Sequence, residues 1–243
     1  MTTRNKKYRY GRRRLISGSA GDGVPAIFFT GEEMTKTAIL IDGGWMAPAV
    51  SYELKVKFAT AKQVYDNARS VMTADEELYR MFYYDSEPYK GHQKNPISNV
   101  DTDFSLKPAV SGRERFYREL NAMSQVALRI GSLNYRGWKL TDEFYGNLIN
   151  GTVSPNSISE SDIKPNFTQK GVDMKIGIDI ASLVFKKLVS RIILFSGDTD
   201  MVPAMKLARV EGIQIVMIQI GKKALSSKLI EDSDFVRTLN PKK

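Results

Sequence analysis

Four aspartates in this chain stand where a carboxylate is costly unless something offsets its charge. "TAILIDGGWM" at 37–46 and "IILFSGDTDMVPA" at 192–204 each run an apolar, strand-like stretch into aspartate beside glycine, which places Asp42 and Asp198 at strand ends and Asp200 just beyond. Asp173 falls in the first turn of a helix-like segment, "KGVDMKIGIDIASLVFKKL" at 170–188. Carboxylates gathered in one cleft repel and raise one another's pKa unless a divalent cation neutralises them. Mg²⁺ takes oxygen ligands, keeps several waters and binds through few carboxylates plus substrate phosphate, and Mn²⁺ has similar preferences. An ion held this way activates water and stabilises the leaving oxygen of a phosphodiester without histidine. The chain has a single histidine, His92, and no cysteine. Thiolate zinc, cysteine nucleophiles, disulfides and a two-histidine acid–base pair are therefore excluded within one chain.

Each aspartate also has a plain local explanation. Asp200, ahead of "MVPAMKLA" with Pro203 near the start, suits a helix N-cap. Asp173 complements a helix macrodipole, and Asp42-Gly43 suits a turn. Asp198 follows a strand and is not needed as a cap. Asp179 lies six residues after Asp173 and is rotated about 120° from it on a helix. It either supports the site from behind or is solvated. What favours chemistry is the coincidence of four acids in matching strand-end and helix-start contexts.

Those contexts require elements to supply them. Strands are expected at about 37–42, 77–89, 131–140, 191–196, 213–218 and 235–239. Helices are expected at about 60–71, 113–129, 170–188, 201–211 and 222–231. The helix at 113–129 rests on Phe116, Leu120, Met123 and Ala127 at helical spacing. Short apolar strands alternating with helices predict an α/β fold with a mainly parallel sheet covered on both faces. Ligands in such sheets sit beyond the carboxyl ends of the strands. Two loop-rich insertions are expected near 90–112 and 150–169.

The net charge of +9 is unevenly spread. Residues 1–14 carry Arg4, Lys6, Lys7, Arg9, Arg12, Arg13 and Arg14 with no acid, so the remainder is close to neutral. Residues 1–35 read as a basic, flexible arm and linker, and 36–243 as the folded domain. The arm suits nucleic-acid contact through Arg12, Arg13 and Arg14, with Tyr8 and Tyr10 able to stack, or else is a solubilising tail. "YRGWKL" offers Arg136 and Trp138 as a stacking and phosphate-contact edge, although aromatic packing in a hairpin explains them equally. No apolar run reaches the length of a spanning helix or a signal-peptide core, and the cytoplasm is the expected compartment.

The motifs "ILIDGG", "YYDSEP", "KGVDMKIGIDI", "FSGDTDMVPAMKLARVEG" and "LSSKLIEDSDFVRTL" occur in this order. Together they resemble the NYN (LabA-like) branch of the PIN-like nuclease superfamily, from about residue 36 to 240. The resemblance implies a three-layer α/β/α sandwich and a metal-dependent ribonuclease site of clustered acids. By position, Asp42 matches the first-strand acid, Asp173 the "KGVD" acid, and Asp198 and Asp200 the "SGDxD" pair. Ser196 and Lys170 belong to the same motifs and are candidates for phosphate contact. Gly43-Gly44-Trp45 stands where many members carry asparagine soon after the first aspartate. The expectation is an Mg²⁺- or Mn²⁺-dependent endoribonuclease whose partner is RNA, with self-association plausible by family. The rival is a non-catalytic RNA-binding or scaffold module using the acids structurally. A phosphohydrolase of the HAD type is set aside, since Gly44 occupies the place of its second aspartate.

Overall fold

The computed structural model describes residues 34–243. Its centre is a seven-stranded sheet, beginning with β1 (Thr35–Asp42), whose Ala38–Ile41 core is wholly buried. β2 (Glu76–Ser86), β5 (Val126–Leu140) and β6 (Ile163–Lys170) extend it on one side, and β7 (Arg191–Phe195), β8 (Gln214–Ile220) and β9 (Phe235–Leu239) on the other. The order is β6-β5-β2-β1-β7-β8-β9. Every pair is parallel except β5–β6, which is antiparallel. β3 (His92–Lys94) and β4 (Asp101–Asp103) form a separate antiparallel ribbon. The α/β class with a mainly parallel, doubly covered sheet is as the sequence predicts.

Alternation along the strands builds two cores. Ile39, Ile41, Met81, Tyr83, Ile193 and Phe195 face α1 (Gly43–Leu54), α2 (Ala61–Arg69) and α3 (Pro108–Asn121). Leu40, Phe82, Tyr84, Ile192 and Leu194 face α5 (Val172–Phe185) and α6 (Val202–Val210). The smaller α4 (Asp142–Ile149) and α7 (Ser227–Glu231) complete the chain. No helix among the described residues is long and apolar enough to cross a membrane.

Four local expectations change. The predicted helix over 113–129 ends at Asn121, and Gln125 turns through a left-handed conformation (φ 60°) into β5. Pairing of Val126–Gly131 with β2 overrides the helical spacing that reached Ala127. The predicted insertion at 150–169 instead ends in β6, where Pro165 is tolerated on an edge strand. α1 forms despite Gly43, Gly44 and Pro48, because Met46, Val50 and Leu54 bury against the sheet. α7 starts at Ser227, which leaves Lys222 and Lys223 in the preceding loop.

β1 is the topological switch point. The chain moves from β1 outward through β2 and β5, then returns to β7 on the opposite side of β1. The carboxyl ends of β2, β1 and β7 are therefore neighbours, and a crevice opens where the winding reverses.

Candidate functional site

All four predicted acids lie at that carboxyl edge. Asp42 is the last residue of β1 and the N-cap of α1, its Oδ1 accepting the Trp45 N–H at 3.3 Å. It caps a helix instead of making the isolated turn expected of Asp-Gly. Asp173 occupies the first turn of α5, and its side chain is exposed. Asp198 follows β7 and opens a short 3₁₀ turn (Thr199–Met201) that leads into α6. The expected roles of Asp198 and Asp200 are exchanged. Asp198 Oδ1 accepts the Asp200 N–H at 2.9 Å, while the Asp200 side chain projects into solvent. The extra 3₁₀ turn moves the cap two residues upstream.

Burial raises the Asp42 carboxyl to about 6, with the charges of Asp173 and Asp85 adding to it and the N–H groups of Trp45 and Gly44 opposing. Asp173 is raised by burial, then by the charges of Asp198 and Asp200. Asp173 thus shares a field with the other three. Among the described residues none of the four forms an ion pair. Nor do any three acidic or histidine side chains among them converge closely enough to enclose one ion. The donor set is nonetheless all oxygen and all anionic. It suits a hard divalent ion that takes one or two carboxylates directly and keeps its waters, and does not suit a closed protein cage.

The glycines of the rim have steric reasons. A Cβ on Gly43 would lie 2.5 Å from the Tyr83 ring, and one on Gly197 would lie within 2.7 Å of the Trp45 indole. Gly43 and Trp45 of the departure Gly43-Gly44-Trp45 therefore belong to this packing, in which the Tyr83 ring lies against Gly43 and the Trp45 indole against Gly197. Lys223 Nζ lies 5.2 Å from the centre of the Trp45 ring. Ser196, a candidate phosphate contact, is fully buried, and its Oγ accepts the Asp198 N–H at 3.1 Å. It shapes the acidic loop from inside.

Asp179 also turns inward. It accepts from Tyr84 Oη and Arg129 Nε, both at 2.9 Å, and so fastens α5 to β2 and β5. Lys170 is exposed at the end of β6, one residue before Gly171, whose left-handed conformation (φ 79°) starts α5. Arg136 is exposed on β5, and Trp138 donates its Nε1 to the Lys94 carbonyl at 3.0 Å. Arg12, Arg13 and Arg14 lie outside the described residues.

The sequence reading does not single out Asp85, although "YYDSEP" contains it. It stands one residue before the end of an apolar strand, much as Asp42 ends β1, and that repeated pattern is the available signal. Asp85 is buried, pairs with Arg113 Nη1 at 2.8 Å, and has the Tyr83 hydroxyl at 3.5 Å. Behind it opens a cleft of about 1530 Å³ between α1, α3, the β3–β4 ribbon and the β5–β6 arm. Gly43, Gly44, Asp85 and Gln169 lie on its wall, and Asp42 directly precedes the two glycines in the chain.

Residues 134–240 match the family model of the NYN domain. This covers Asp173, Asp198 and Asp200 and leaves Asp42 and Asp85 outside. A crystal structure of a protein of unknown function from Vibrio parahaemolyticus is similar at 15% identity, with 86% of this chain and 96% of that chain covered and a TM-score of 0.46. No curated protein matches the chain. The likeness to the NYN domain thus lies in the second half of the chain, over residues 134–240.

Proposed function

We infer that this chain is a divalent-metal-dependent ribonuclease that cuts RNA endonucleolytically. The observation that carries the reading is the rim itself: four carboxylates at one switch point, mutually repelling, with no cation of the described residues paired to them. Such an arrangement is unfavourable for a purely structural group and is offset by a cation plus a phosphate. The NYN match supports a nuclease in general, and RNA, Mg²⁺ or Mn²⁺ are the finer reading.

Asp42 and Asp173 would hold the ion, with Asp198 and Asp200 facing it or its waters from the β7 side. When bound, the ion supplies a Lewis acid and an activated water for phosphodiester hydrolysis. The chain's own groups set the geometry around it. Asp42 and Asp198 each accept a backbone N–H through Oδ1, which orients the carboxylate. Buried Ser196 holds the loop that carries Asp198. Lys170 and Lys223, both exposed near the rim, would meet the phosphate charge, and the basic residues 1–14 would add affinity with little sequence choice.

The second reading, an RNA-binding module with inert acids, draws on the absence of three converging acids among the described residues. A cleavage assay separates them. Labelled RNA and DNA oligonucleotides are incubated with wild type and Asp198→Asn in Mn²⁺, Mg²⁺ or EDTA. Asparagine still caps the Asp200 N–H, so the variant keeps its fold. Metal-dependent RNA cutting should fall at least about a hundredfold in the variant, since metal-site electrostatics contribute several kcal/mol. Equal trace cutting by both proteins would leave the binding module as the answer.

A further inference from the structure

The cleft behind the rim carries groups that hydrolysis does not use. At about 1530 Å³ it exceeds the roughly 300–1,000 Å³ of sites for small molecules, so it suits a segment of a polymer. Tyr52 and Phe58, residues 82% and 75% exposed, line it from α1 and the loop that follows. Tyr89 and Trp138 line it on the facing side, held by stacking on Tyr135 and by the bond to Lys94. Two lysines share the lining. Lys57 places its Nζ 5.6 Å from the centre of the Phe58 ring, and neither it nor Lys107 is paired with an acid of the described residues. The other charged groups of the lining are mostly satisfied internally: Asp85 by Arg113, Glu119 by Arg115, and Glu160 by Asn95. What remains open to a ligand is therefore flat rings and two positive charges.

We propose that this cleft holds the single-stranded nucleotides that flank the bond presented to the aspartate rim, with bases against Tyr52 and Phe58 and phosphates at Lys57 and Lys107. Planar faces and cations together are what a single strand offers partners for, because each base exposes a π-face and each linkage a charge. A duplex buries those faces in its own stack. Continuity supports the placement: exposed Gly44 lines the cleft and stands two residues after Asp42. The proposal takes the identity of the rim from the ribonuclease reading, but the cleft's own binding is tested without cutting.

Fluorescence anisotropy of a labelled single-stranded RNA, in EDTA, over a salt series measures that binding with the full chain. Both rings and both lysines are on the surface or at the cleft wall, so their replacement leaves the core in place. Tyr52→Ala and Phe58→Ala should each weaken binding about 5- to 100-fold with the salt slope unchanged. The Lys57→Gln/Lys107→Gln double variant should lower the magnitude of the slope by about 1.4, that is about 0.7 per phosphate contact. A duplex of the same sequence should compete poorly. Wild-type affinity in the ring variants together with a wild-type slope in the lysine variant would overturn the proposal, even if the protein cuts RNA. Displacement by polyglutamate as effective as by unlabelled RNA would also overturn it, leaving a general anion surface. Loss of binding in these variants, with no cutting by wild type in Mn²⁺, would uphold the cleft and remove the hydrolytic reading.

Discussion

The two ends of the same sheet treat carboxylates in opposite ways. At the amino-terminal edge, the Glu76 side chain is fully buried, yet it accepts from Arg191 Nη1 at 2.6 Å, from both terminal nitrogens of Arg237 at 2.9 Å, and from the Thr73 N–H at 2.8 Å. Burial pushes its carboxyl up, but the two guanidiniums outweigh that and hold it below the ordinary range. At the carboxyl edge Asp42 is raised to about 6, and no arginine of the described residues pairs with it. Asp85 stands between the extremes, buried beside a single arginine. A chain that neutralises Glu76 twice over has the means to do so at the rim. That its described residues leave the rim uncompensated is a cost in stability that makes sense where a bound ion and a phosphate complete the charge balance.

Breaking the compensated end should produce the largest effect. Glu76→Ala leaves Arg191 and Arg237 facing each other with little access to water, since their side chains are 12% and 21% exposed. Removing one partner from a buried ion-pair network costs about 3–5 kcal/mol, which urea denaturation would read directly. The Glu76 carboxyl is depressed in the fold, so its contribution is present above its unfolded value and is lost as pH falls through the folded one. A change below about 1 kcal/mol, typical of surface pairs, would mean that the two ends do not differ as described.

The uncompensated end should respond with the opposite sign. Between the ordinary value of 3.8 and about 6, folded Asp42 holds a proton that the unfolded chain releases. Stability therefore falls as pH rises through that window, and the full penalty is present at pH 7. Asp42→Asn removes the charge and still caps the Trp45 N–H. In EDTA at pH 7 the variant should be more stable than wild type by on the order of 2 kcal/mol, and the gain should vanish near pH 4. A variant less stable than wild type at pH 7 would show that the carboxylate is held by something favourable, and the contrast with Glu76 would dissolve.

These two ends were not equally visible in the sequence. An apolar run that stops on aspartate is a local pattern, so Asp42 and Asp198 could be read from ten residues each, and β9 at 235–239 agrees with its apolar run. The partners of Glu76 lie 115 and 161 residues away, and no local pattern reports such a pairing. Distance also hid the tie between Asp85 and Arg113, 28 residues apart. Other misses come from tertiary burial overriding propensity. α1 begins with two glycines and contains a proline, β6 is polar and contains Pro165, and the α3-to-β5 boundary cuts through an unbroken helical spacing. The exchange of cap roles between Asp198 and Asp200 depends on a three-residue 3₁₀ turn, which is too short to leave a period.

The smallest effect sharpens the comparison most, because only one end of the sheet should feel it. An ion that binds the folded chain and not the unfolded one stabilises it by RT ln(1 + [L]/Kd), about 1.4 kcal/mol at ten times Kd. For a chain of this length that corresponds to roughly 3–6 °C in Tm. Mn²⁺ should therefore raise the wild-type Tm by a few degrees over NaCl of equal ionic strength. Asp173→Asn should lose most of the rise, since Asp173 feels the charges of Asp198 and Asp200 and itself acts on Asp42. Glu76→Gln should melt lower but keep the full increment, because its carboxylate already has its cations. An increment that survives Asp173→Asn would place any bound ion away from the rim. No increment in wild type would mean that Asp42, Asp173, Asp198 and Asp200 serve four local structures and nothing in common.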